Sequence, residues 1–597
     1  MYNFPQGKIH SMIKRNEVVL KVNNEWLHFA EPNQIIVAHK LEDVLPAFRE
    51  MEKLVNVTDW HAAGFISYEA ASAFDPALRT KAVVQTENSR GKGAELPFLW
   101  FGLYQSPRVI TLPQPEHPKE ILNWRPTVDR DTYNTAIDQI REHIAEGRTY
   151  QVNYTMRLQQ TDFTDNIWDF FLHLAQSQNN HAAYFDIGRY MICSASPELF
   201  FQLEGDAIIC RPMKGTVKRG RTTFEDKEQS QWLKDSEKNR AENVMIVDMV
   251  RNDLGRIAEI GSVNVPELFK TERYPTLWQM TSTVTAKTRA SLTDIFRALF
   301  PSASITGAPK VGTMRIISEL ESTPRRIYTG SIGYIGPGRK ANFNVAIRTA
   351  LIDREAHTAE YGVGGGIVWD STSTDEYAEA LLKARVLTEQ SIEFSLLETI
   401  LWTLEEGFFL REKHVERMLD SADYFDLPTS KEKIERYLNQ ISSQLSSPQR
   451  VRLLLGKTGN LKFEAKSFQP SENHQPLKVR LAKQPIDPDN IFLFHKTTKR
   501  DFFESARKDA PDCDDVVLYN ELGEATEFTI GNLVVELEGK YFTPPLSCGL
   551  LAGTFRSHLL ETGEVAERKI RVEELKDCTQ IFMVNSVRRW QKVDFMT

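Results

Sequence analysis

A lysine between two conformationally special residues is the first candidate for chemistry in this chain of 597 residues. In the stretch RPMKGT (211–216), a proline fixes the backbone before Lys214 and a glycine frees it afterwards. We predict a proline-fixed turn in which the lysine amine and the backbone can both approach a small anion. Most of the 73 lysines and arginines must be solvated, so this stretch alone does not distinguish a catalytic lysine from a surface one.

Two glutamates on predicted helices form a second candidate. Glu242 lies on a long helix predicted from Ser230 to Ile260, and Glu379 lies on one predicted from Thr374 to Gln390. Each glutamate has a lysine four residues away, so surface ion pairs are the simple alternative to a functional role.

A glycine cluster, Gly362 and Gly364–Gly366, follows a predicted strand that ends near Tyr361. Its spacing matches neither a dinucleotide-binding motif nor a P-loop. We predict a turn whose N–H groups face an anion, or simply a tight turn. Farther on, Lys496 opens the run KTTKR, for which a solvated basic loop is the alternative to a functional role.

Composition describes an ordinary soluble globular protein, with 41% apolar and 26% charged residues. A net charge of −8 gives no reason to expect nucleic acid or an anionic membrane as a partner. No apolar stretch approaches the roughly 20 residues that span a bilayer, so we expect a cytoplasmic protein. The five cysteines are scattered without Cys-x-x-Cys spacing, which suggests neither disulfides nor a zinc site.

The pattern of the chain changes around residues 388–394, where a new strand–helix series begins. We therefore predict two domains, 1–390 and 391–597. In the first, a helix is predicted from Asp131 to Arg148 and a strand follows at Gln151–Thr155. In the second, we predict an amphipathic helix from His414 to Tyr424 and a polar insertion from Ser467 to Pro476.

The first part resembles chorismate-utilising enzymes. The stretches SASPELF, PMKGT, NRAENVMIVDMVRNDLGRIA, SITGAPK, YTGSIGYIG, NVAIRTA and YGVGGGIVWDS occur in the order seen in that family and cover roughly residues 60–387. The resemblance implies one α+β domain of two large, facing antiparallel sheets flanked by helices. It places the active site in the cleft between the sheets.

Chorismate is a dianion whose C4 hydroxyl must leave, and the resemblance assigns residues to that task. A guanidinium and glycine N–H groups suit its carboxylates, and Mg²⁺ needs only a few carboxylate oxygens. The implied substrate-binding residues are Thr306, Tyr328, Arg348, Gly364, Gly365 and Gly366; the implied magnesium ligands are Glu242 and Glu379; Glu198 is the implied acid that helps to expel the hydroxyl.

Two positions separate the branches of the family. Isochorismate- and salicylate-forming members have a water-activating lysine where this chain has Gln151, and anthranilate synthases have alanine where it has Lys214. This combination resembles the aminodeoxychorismate synthase branch, in which the lysine attacks C2 of the ring and ammonia then enters at C4. The lysine must be neutral to attack, so we expect burial or a neighbouring cation to lower its pKa.

One position departs from the family, whose members usually have a histidine where this chain has Gln279. A glutamine can donate a hydrogen bond but cannot carry a proton near pH 7. An acid–base role is therefore in doubt at this position, whereas a positioning role survives.

Residues 394–597 resemble the class IV fold of pyridoxal-phosphate enzymes through HVERML, FHKTTKRDFFESAR, EATEFTIGNLVV and TPPLSCGLLAGTFR. The resemblance implies an α/β fold of two subdomains in which Lys496 attaches the cofactor and Glu527 pairs with the pyridine nitrogen. It also implies that Arg417 and the backbone at Gly553, Thr554 and Phe555 hold the phosphate, which suits a helix N-terminus. Cys548 has no base partner in sequence, so we treat it as structural.

The two resemblances together imply synthesis of 4-aminobenzoate from chorismate and ammonia through 4-amino-4-deoxychorismate, for folate synthesis. No cysteine lies in a Gly-x-Cys-x-Gly turn, so we expect a separate glutamine amidotransferase subunit to supply ammonia. Class IV relatives are commonly dimers, which makes a homodimer through the C-terminal domain an expectation. The alternatives are an anthranilate-synthase-type component fused to an aminotransferase, and an inactive regulator that binds chorismate or the cofactor.

Overall fold

The computed structural model describes residues 13–82, 95–117, 122–164, 166–176, 181–388, 393–469 and 475–596. The chain forms two compact units. The first unit consists of Met1–Lys218 and Ser230–Ser391, and the second consists of Arg219–Gln229 and Ile392–Thr597. The predicted division at 390/391 falls on residues outside those described.

Twenty strands precede the division. They are β1 (Val18–Val22), β2 (Glu25–Phe29), β3 (Gln34–Ala38), β4 (His61–Ile66), β5 (Leu99–Tyr104), β6 (Arg108–Ile110), β7 (Arg125–Pro126), β8 (Gln151–Gln160), β9 (His181–Asp186), β10 (Tyr190–Ser196), β11 (Leu199–Glu204), β12 (Ala207–Arg211), β13 (Met213–Lys218), β14 (Asn264–Arg273), β15 (Leu277–Lys287), β16 (Gly307–Ala308), β17 (Ser331–Gly336), β18 (Lys340–Val345), β19 (Thr349–Asp353) and β20 (Thr358–Ile367).

These strands form two ten-stranded sheets. The first has the order β16-β8-β20-β19-β10-β9-β1-β2-β6, with β7 also on β8. The second has the order β13-β15-β12-β11-β18-β17-β4-β5-β3, with β14 also on β15. Phe65 of the second sheet meets Phe185 of the first edge-to-face, with ring centroids 5.9 Å apart, inside a core built from both sheets. Every strand pairing recorded in the two sheets is antiparallel, which confirms the predicted facing sheets.

Ten α-helices accompany these strands in the described residues. They are α1 (Leu41–Thr58), α2 (Ala71–Phe74), α3 (Arg130–Ala145), α4 (Ile167–Gln176), α5 (Thr223–Asp235), α6 (Glu237–Gly255), α7 (Leu292–Leu299), α8 (Lys310–Leu320), α9 (Ser373–Lys383) and α10 (Arg385–Thr388). Apolar faces of α1, α6 and α7 cover the second sheet, whereas α3, α4, α8 and α9 cover the first. The sheets are therefore a double layer between helices.

Two predicted helices are each broken in two. The helix predicted from Ser230 to Ile260 is interrupted at Ser236, whose side chain accepts a hydrogen bond from the N–H of Asn239 and starts α6. The helix predicted from Thr374 to Gln390 stops at Lys383, and α10 follows. Apolar periodicity runs through both breaks, which is why the sequence suggested continuous helices.

The second unit has two subdomains, each with its own core. The first contains β21 (Leu396–Thr403), β22 (Gly407–Phe408), β23 (Gln449–Leu455) and β24 (Leu461–Ser467), packed on α11 (Arg411–Tyr424) and α12 (Lys431–Ser442). Its sheet order is β22-β21-β23-β24. Residues 470–474 of the predicted insertion Ser467–Pro476 lie outside the described residues.

The second subdomain contains β25 (Leu477–Leu481), β26 (Asp515–Tyr519), β27 (Ala525–Phe528), β28 (Asn532–Leu537), β29 (Lys540–Thr543), β30 (Ala566–Glu567), β31 (Gln580–Asn585) and β32 (Arg589–Phe595), with α13 (Asp501–Lys508) and α14 (Thr554–Glu561). The sheet order is β27-β26-β25-β32-β31-β28-β29-β30, and an extra β27–β28 pairing closes six strands into a ring. Across the described parts of the chain, no helix has the length and apolar character needed to cross a membrane.

Phe296 provides a test of this packing. Its fully buried ring lies 5.0 Å from the ring centroids of both Phe48 and Phe343. We expect Phe296→Ala to destabilise the first unit by about 3–5 kcal/mol because the cavity it leaves cannot fully collapse. Hydrogen exchange of peptides from α7 and β18 measures the loss, with Val57→Ala on the exposed side of α1 as control. Equal protection in the two variants would contradict the assignment of Phe296 to the core.

Candidate functional sites

Lys214 lies in a strand, so the predicted turn is wrong. The pairing of β13 with β15 shifts register between Met213 and Thr216. Within this interval Gly215 has a left-handed φ of 97°. This is a β-bulge, which lets a strand continue while re-aiming one side chain. Pro212 and Gly215 suggested a turn, but both residue types are also common at the irregular backbone of a bulge.

The side-chain ends of Lys214 and Gln151 meet above Gly366. A Cβ built on Gly366 would lie 2.3 Å from Lys214 Nζ and 2.0 Å from Gln151 Nε2. Gln151 is 1% exposed, yet its amide nitrogen and oxygen both lack hydrogen-bond partners among the described residues. Because an unpartnered buried amide is costly, these two atoms mark a place for a polar ligand.

The surroundings of Lys214 favour its neutral amine. Burial lowers the pKa of Lys214, and the charge of Lys383 lowers it further. Glu242, Glu379 and Glu198 act in the opposite direction without reversing the shift. The predicted lowering of the pKa is therefore present, and burial is its main cause.

Lys383 is a site residue that sequence reasoning did not identify. Its Nζ donates a 2.9 Å hydrogen bond to the carbonyl of Gly364 and lies 2.8 Å from a carboxylate oxygen of Glu379. The four-residue spacing to Glu379 gave a signal, but it suggested a surface ion pair. Arg211, a sequence neighbour of Lys214, instead forms an ion pair with Glu272.

Glu198 is a buried carboxyl close to the same amine. Burial raises the pKa of Glu198 to about 7, while a hydrogen bond from Ser304 and the charge of Lys214 oppose the shift. Ser304 Oγ donates to Glu198 Oε1 over 2.5 Å. A carboxyl with such a pKa holds a proton near neutrality and can release it. Ser304 opens the SITGAPK stretch, which was the signal that could have identified it.

The charges of Glu242 and Glu379 both raise the pKa of Lys214 against the effect of burial, and burial together with the charge of Glu379 raises the pKa of Glu376. Glu376 accepts a 2.6 Å hydrogen bond from Ser371 Oγ. Within the described ranges, no three histidine, cysteine, aspartate or glutamate side chains form a metal cage. Two carboxylates nevertheless fit Mg²⁺, which commonly takes its remaining ligands from substrate and water.

Gly364, Gly365 and Gly366 lie inside β20, so the turn predicted for them is also wrong. They pair with residues 153–155 of β8. On the other edge, β19 pairs with β20 only as far as Tyr361. Glycine is required here for close approach by side chains, as the contacts above Gly366 show. Anion binding by the glycine N–H groups stays a prediction.

The other predicted substrate-binding residues are packed into the first unit. A Cβ on Gly362 would lie 2.1 Å from Tyr328 Cγ, so the tyrosine ring rests on this glycine. The Arg348 guanidinium lies 5.8 Å from the ring centroid of Tyr274, and burial lowers the pKa of Arg348. Thr306 is fully buried, and its hydroxyl donates to a backbone carbonyl 3.1 Å away. Their contact with a substrate stays a prediction.

Gln279 holds the bulge that carries Lys214. Its Nε2 donates a 3.0 Å hydrogen bond to the carbonyl of Gly215. Its Oε1 accepts a 3.2 Å hydrogen bond from Thr216 Oγ1. These contacts support the predicted positioning role.

One cavity of about 310 Å³ in the second unit collects the predicted cofactor residues. Its lining includes Arg417, Lys496, Glu527, Gly553, Thr554 and Phe555. Burial, followed by the charges of Arg417 and Arg500, lowers the pKa of Lys496 to about 7. The lysine is thus a basic, partly neutral amine inside a cavity, and a solvated basic loop is excluded.

Glu527 is a buried carboxyl in the same cavity. Burial raises the pKa of Glu527 to about 8 against opposing contributions that include the N–H of Leu551 and Lys496. Asn532 Nδ2 and the N–H of Leu551 donate to its two oxygens over 3.2 Å each. A cationic ring nitrogen is a suitable partner for this carboxyl, because such a partner would stabilise its charged form.

An anion site can form where α14 begins. Gly553 precedes the helix, and a Cβ there would lie 1.8 Å from Asn532 Oδ1. Arg417 is anchored nearby, because its NH1 donates to the carbonyl of Ala552 over 3.0 Å. Its Nε and NH2 donate to Glu398 over 2.8 and 2.6 Å. Helix N–H groups beside a fixed guanidinium fit a phosphate.

Comparisons with known proteins identify the families of the two parts of the chain. Residues 15–389 match the family model described as chorismate binding enzyme. The chain belongs to this family. Residues 395–594 match the model for class IV amino-transferases, a fold that implies pyridoxal phosphate. Both predicted families are confirmed.

Three relatives are aminodeoxychorismate synthase component 1 proteins. That of Klebsiella aerogenes is 41% identical over 270 residues, which are 45% of this chain and 59% of the relative. That of Escherichia coli strain K12 is 39% identical over 272 residues, with the same two shares. That of Bacillus subtilis strain 168 is 35% identical over 316 residues, which are 52% and 66%. The chain thus spans less than two thirds of each relative.

Solved structures agree on the fold. Anthranilate synthase component I from Streptococcus pneumoniae is 23% identical, with a TM-score of 0.52 over 65% of this chain and 95% of that chain. An isochorismate synthase from Bacillus anthracis is 18% identical, with a TM-score of 0.52 over 63% and 96%. Both solved structures thus support the fold of the first unit.

Gly366 allows a direct test of the first site. Gly366→Ala places a methyl group where Lys214 Nζ and Gln151 Nε2 now lie, so both must move. We expect chorismate affinity to fall by about tenfold or more, which corresponds to ~1.4 kcal/mol. Calorimetric titration with chorismate measures the change. Gly312→Ala on α8 is the control, because its Cβ would meet only a carbonyl 3.6 Å away. Equal affinities would contradict the site.

Proposed function

We propose that this chain makes 4-aminobenzoate from chorismate and ammonia in two reactions. The first unit exchanges the C4 hydroxyl of chorismate for an amino group. The second unit eliminates pyruvate from the resulting 4-amino-4-deoxychorismate. The observation that carries the proposal is the meeting of Lys214 Nζ with the unpartnered amide of Gln151 above Gly366.

The first reaction begins with a neutral Lys214. Its Nζ bonds to C2 of the ring while the C4 hydroxyl leaves as water with a proton from Glu198. Ammonia then bonds to C4 as the bond between C2 and the lysine breaks, which regenerates the amine. A glutamine rather than a lysine at position 151 leaves no base there to activate water, which favours amination over hydroxyl transfer.

Magnesium fits this reaction as a partner of the substrate. Glu242 and Glu379 would hold it, and it would offset carboxylate charge on chorismate. Lys383, paired with Glu379, would contribute to the same charge balance.

The second reaction uses the cavity around Lys496. Pyridoxal phosphate, when bound, supplies a sink for the electrons left on a deprotonated substrate carbon. Lys496 Nζ would attach the cofactor, and its pKa of about 7 suits a group that takes a proton from that carbon. Glu527 would pair with the pyridine nitrogen, and the start of α14 with Arg417 would hold the phosphate.

Ammonia is proposed to come from a separate glutamine amidotransferase subunit. A glutaminase of that type needs an activated thiol, whereas burial raises the pKa of Cys193, Cys210, Cys548 and Cys578. Cys548 also donates to Glu524 over 3.4 Å, in keeping with a structural role. A homodimer through the second unit is also part of the proposal. Static light scattering of the purified chain measures the molar mass in solution and so tests it.

The role of Glu198 gives a pH prediction. As a general acid it must be protonated, so amination falls as pH rises through its pKa of about 7. The Ser304 hydrogen bond favours the carboxylate, so Ser304→Ala raises the pKa of Glu198 and moves the alkaline limb to higher pH. The pH dependence of kcat/KM for chorismate measures it, with buried Ser331→Ala as control. A limb that stays in place or moves down would contradict the acid role.

Two lysine variants test the whole proposal. Full-length protein is incubated with chorismate, Mg²⁺ and ammonium, with and without pyridoxal phosphate, and products are separated by chromatography. We expect 4-amino-4-deoxychorismate without the cofactor and 4-aminobenzoate with it. Lys214→Ala should make neither from chorismate but still convert supplied 4-amino-4-deoxychorismate, whereas Lys496→Ala should stop at that intermediate.

Exposed lysines provide the controls, Lys53→Ala for the first unit and Lys457→Ala for the second. Both should behave as wild type. Fluorescent anthranilate as the product would overturn the amination at C4. No turnover of chorismate, with no visible-range absorbance after adding pyridoxal phosphate, would favour the inactive regulator.

A further inference from the structure

Arg325 and Glu321 form a buried ion pair next to the proposed chorismate site. Each nitrogen of the Arg325 guanidinium donates hydrogen bonds. Arg325 is 1% exposed and Glu321 is 3% exposed. Arg325 Nε lies 3.0 Å and NH2 lies 2.7 Å from carboxylate oxygens of Glu321. None of the reaction steps proposed above requires either residue.

The remaining donors of Arg325 reach three separate segments of the first unit. NH2 donates to the carbonyl of Asn153 over 2.6 Å, and NH1 donates to the carbonyl of Ile305 over 2.9 Å. NH1 also lies 3.3 Å from Thr329 Oγ1. The first acceptor is two residues from Gln151, and the others directly adjoin Thr306 and Tyr328. One guanidinium thus binds two backbone carbonyls and one side-chain hydroxyl beside three proposed substrate-binding residues.

Glu321 extends the same set of contacts. Its Oε1 accepts hydrogen bonds from the N–H and the hydroxyl of Thr155, over 3.0 and 2.7 Å. Thr155 pairs with Gly364 on the glycine strand. The other carboxylate oxygen of Glu321, Oε2, lies 3.4 Å from Arg157 NH2. The Arg157 guanidinium lies 5.3 Å from the ring centroid of Tyr328. Glu321 therefore connects β20, through Thr155, with Tyr328, through Arg157.

Stability alone gives little reason for such an arrangement. Desolvation of two charges offsets most of their attraction, and apolar residues of similar size often serve as well. A guanidinium offers something different, namely five donors in a rigid plane that set distances between the groups they bind. Lysine has a single donor centre and cannot reproduce that geometry.

We infer that Arg325, held by Glu321, is a positioning residue for chorismate that sets the relative placement of Gln151, Thr306 and Tyr328. The inference deepens the proposed function, since it concerns the same site. It does not depend on which product forms, because chorismate binding alone reports it.

The test measures chorismate affinity and amination in full-length variants. Arg325→Lys keeps the charge, and Arg325→Met removes the guanidinium while Glu321 keeps its ion pair with Arg157. Arg189→Lys is the control for the loss of an arginine–carboxylate pair, because Arg189, in the turn between β9 and β10, pairs with Asp353 of β19 over 2.7 Å. We expect kcat/KM for chorismate to fall on the order of 10²-fold in both Arg325 variants, since small misplacements of binding groups are costly.

A double-mutant cycle separates positioning from general destabilisation. If Arg325 acts through Gln151, Gln151→Ala should weaken chorismate binding clearly in the wild type and much less in the Arg325→Lys background. Additive effects on the dissociation constant, or affinity in both Arg325 variants equal to that of Arg189→Lys, would overturn the inference. Elimination of pyruvate from supplied 4-amino-4-deoxychorismate should be unchanged throughout. A wild type that binds chorismate but does not aminate it would contradict the proposed function and leave this cycle decisive.

Discussion

The first site depends on the missing side chain at Gly366. An amine and an amide cannot both lie within 2.3 Å of a Cβ position unless no Cβ exists. The glycines of β20 are therefore needed for the approach of neighbouring side chains across a strand, not for a reversal of the chain. The same requirement applies at Gly362, where the Tyr328 ring occupies the space of a side chain. The glycines of β20 thus leave the space that the side chains of Lys214, Gln151 and Tyr328 occupy.

Both units lower the pKa of a lysine chiefly by burial, but their neighbouring charges differ. Lys214 lies among three acids and one further lysine, so its pKa is a compromise between opposing charges. Lys496 has Arg417 and Arg500 as its leading charged neighbours, and its pKa drops to about 7. In the proposed first reaction the amine attacks a ring beside carboxylates that would hold a metal, so negative neighbours are expected. In the proposed second reaction the amine shares its cavity with the cations that would bind the cofactor phosphate.

Sequence motifs predicted both families and several of the side chains near Lys214 and Lys496, because the order of the motifs and the identity of their residues can be read directly from the sequence. Lys383 and Ser304 were not predicted. Local backbone shape was predicted less well. Proline and glycine around Lys214 suggested a turn, since the same residues serve turns and bulges and only the pairing with β15 distinguishes them. The break at Ser236 was missed because apolar periodicity continues across it. Arg325 gave no usable signal, because a charged residue is expected at the surface and its burial is a tertiary property.

Gln279 makes two positioning contacts where the resemblance leads us to expect a histidine. The amide satisfies two groups of the bulge at once, donating to the carbonyl of Gly215 and accepting from Thr216. An imidazole can also accept with one nitrogen and donate with the other, but it gains a second proton near neutral pH and then only donates. Protonation would break the bond from Thr216 and place a positive charge beside the strand of Lys214. Glutamine keeps both bonds at every pH, so the bulge and the lysine that it aims stay in place while Glu198 changes its protonation.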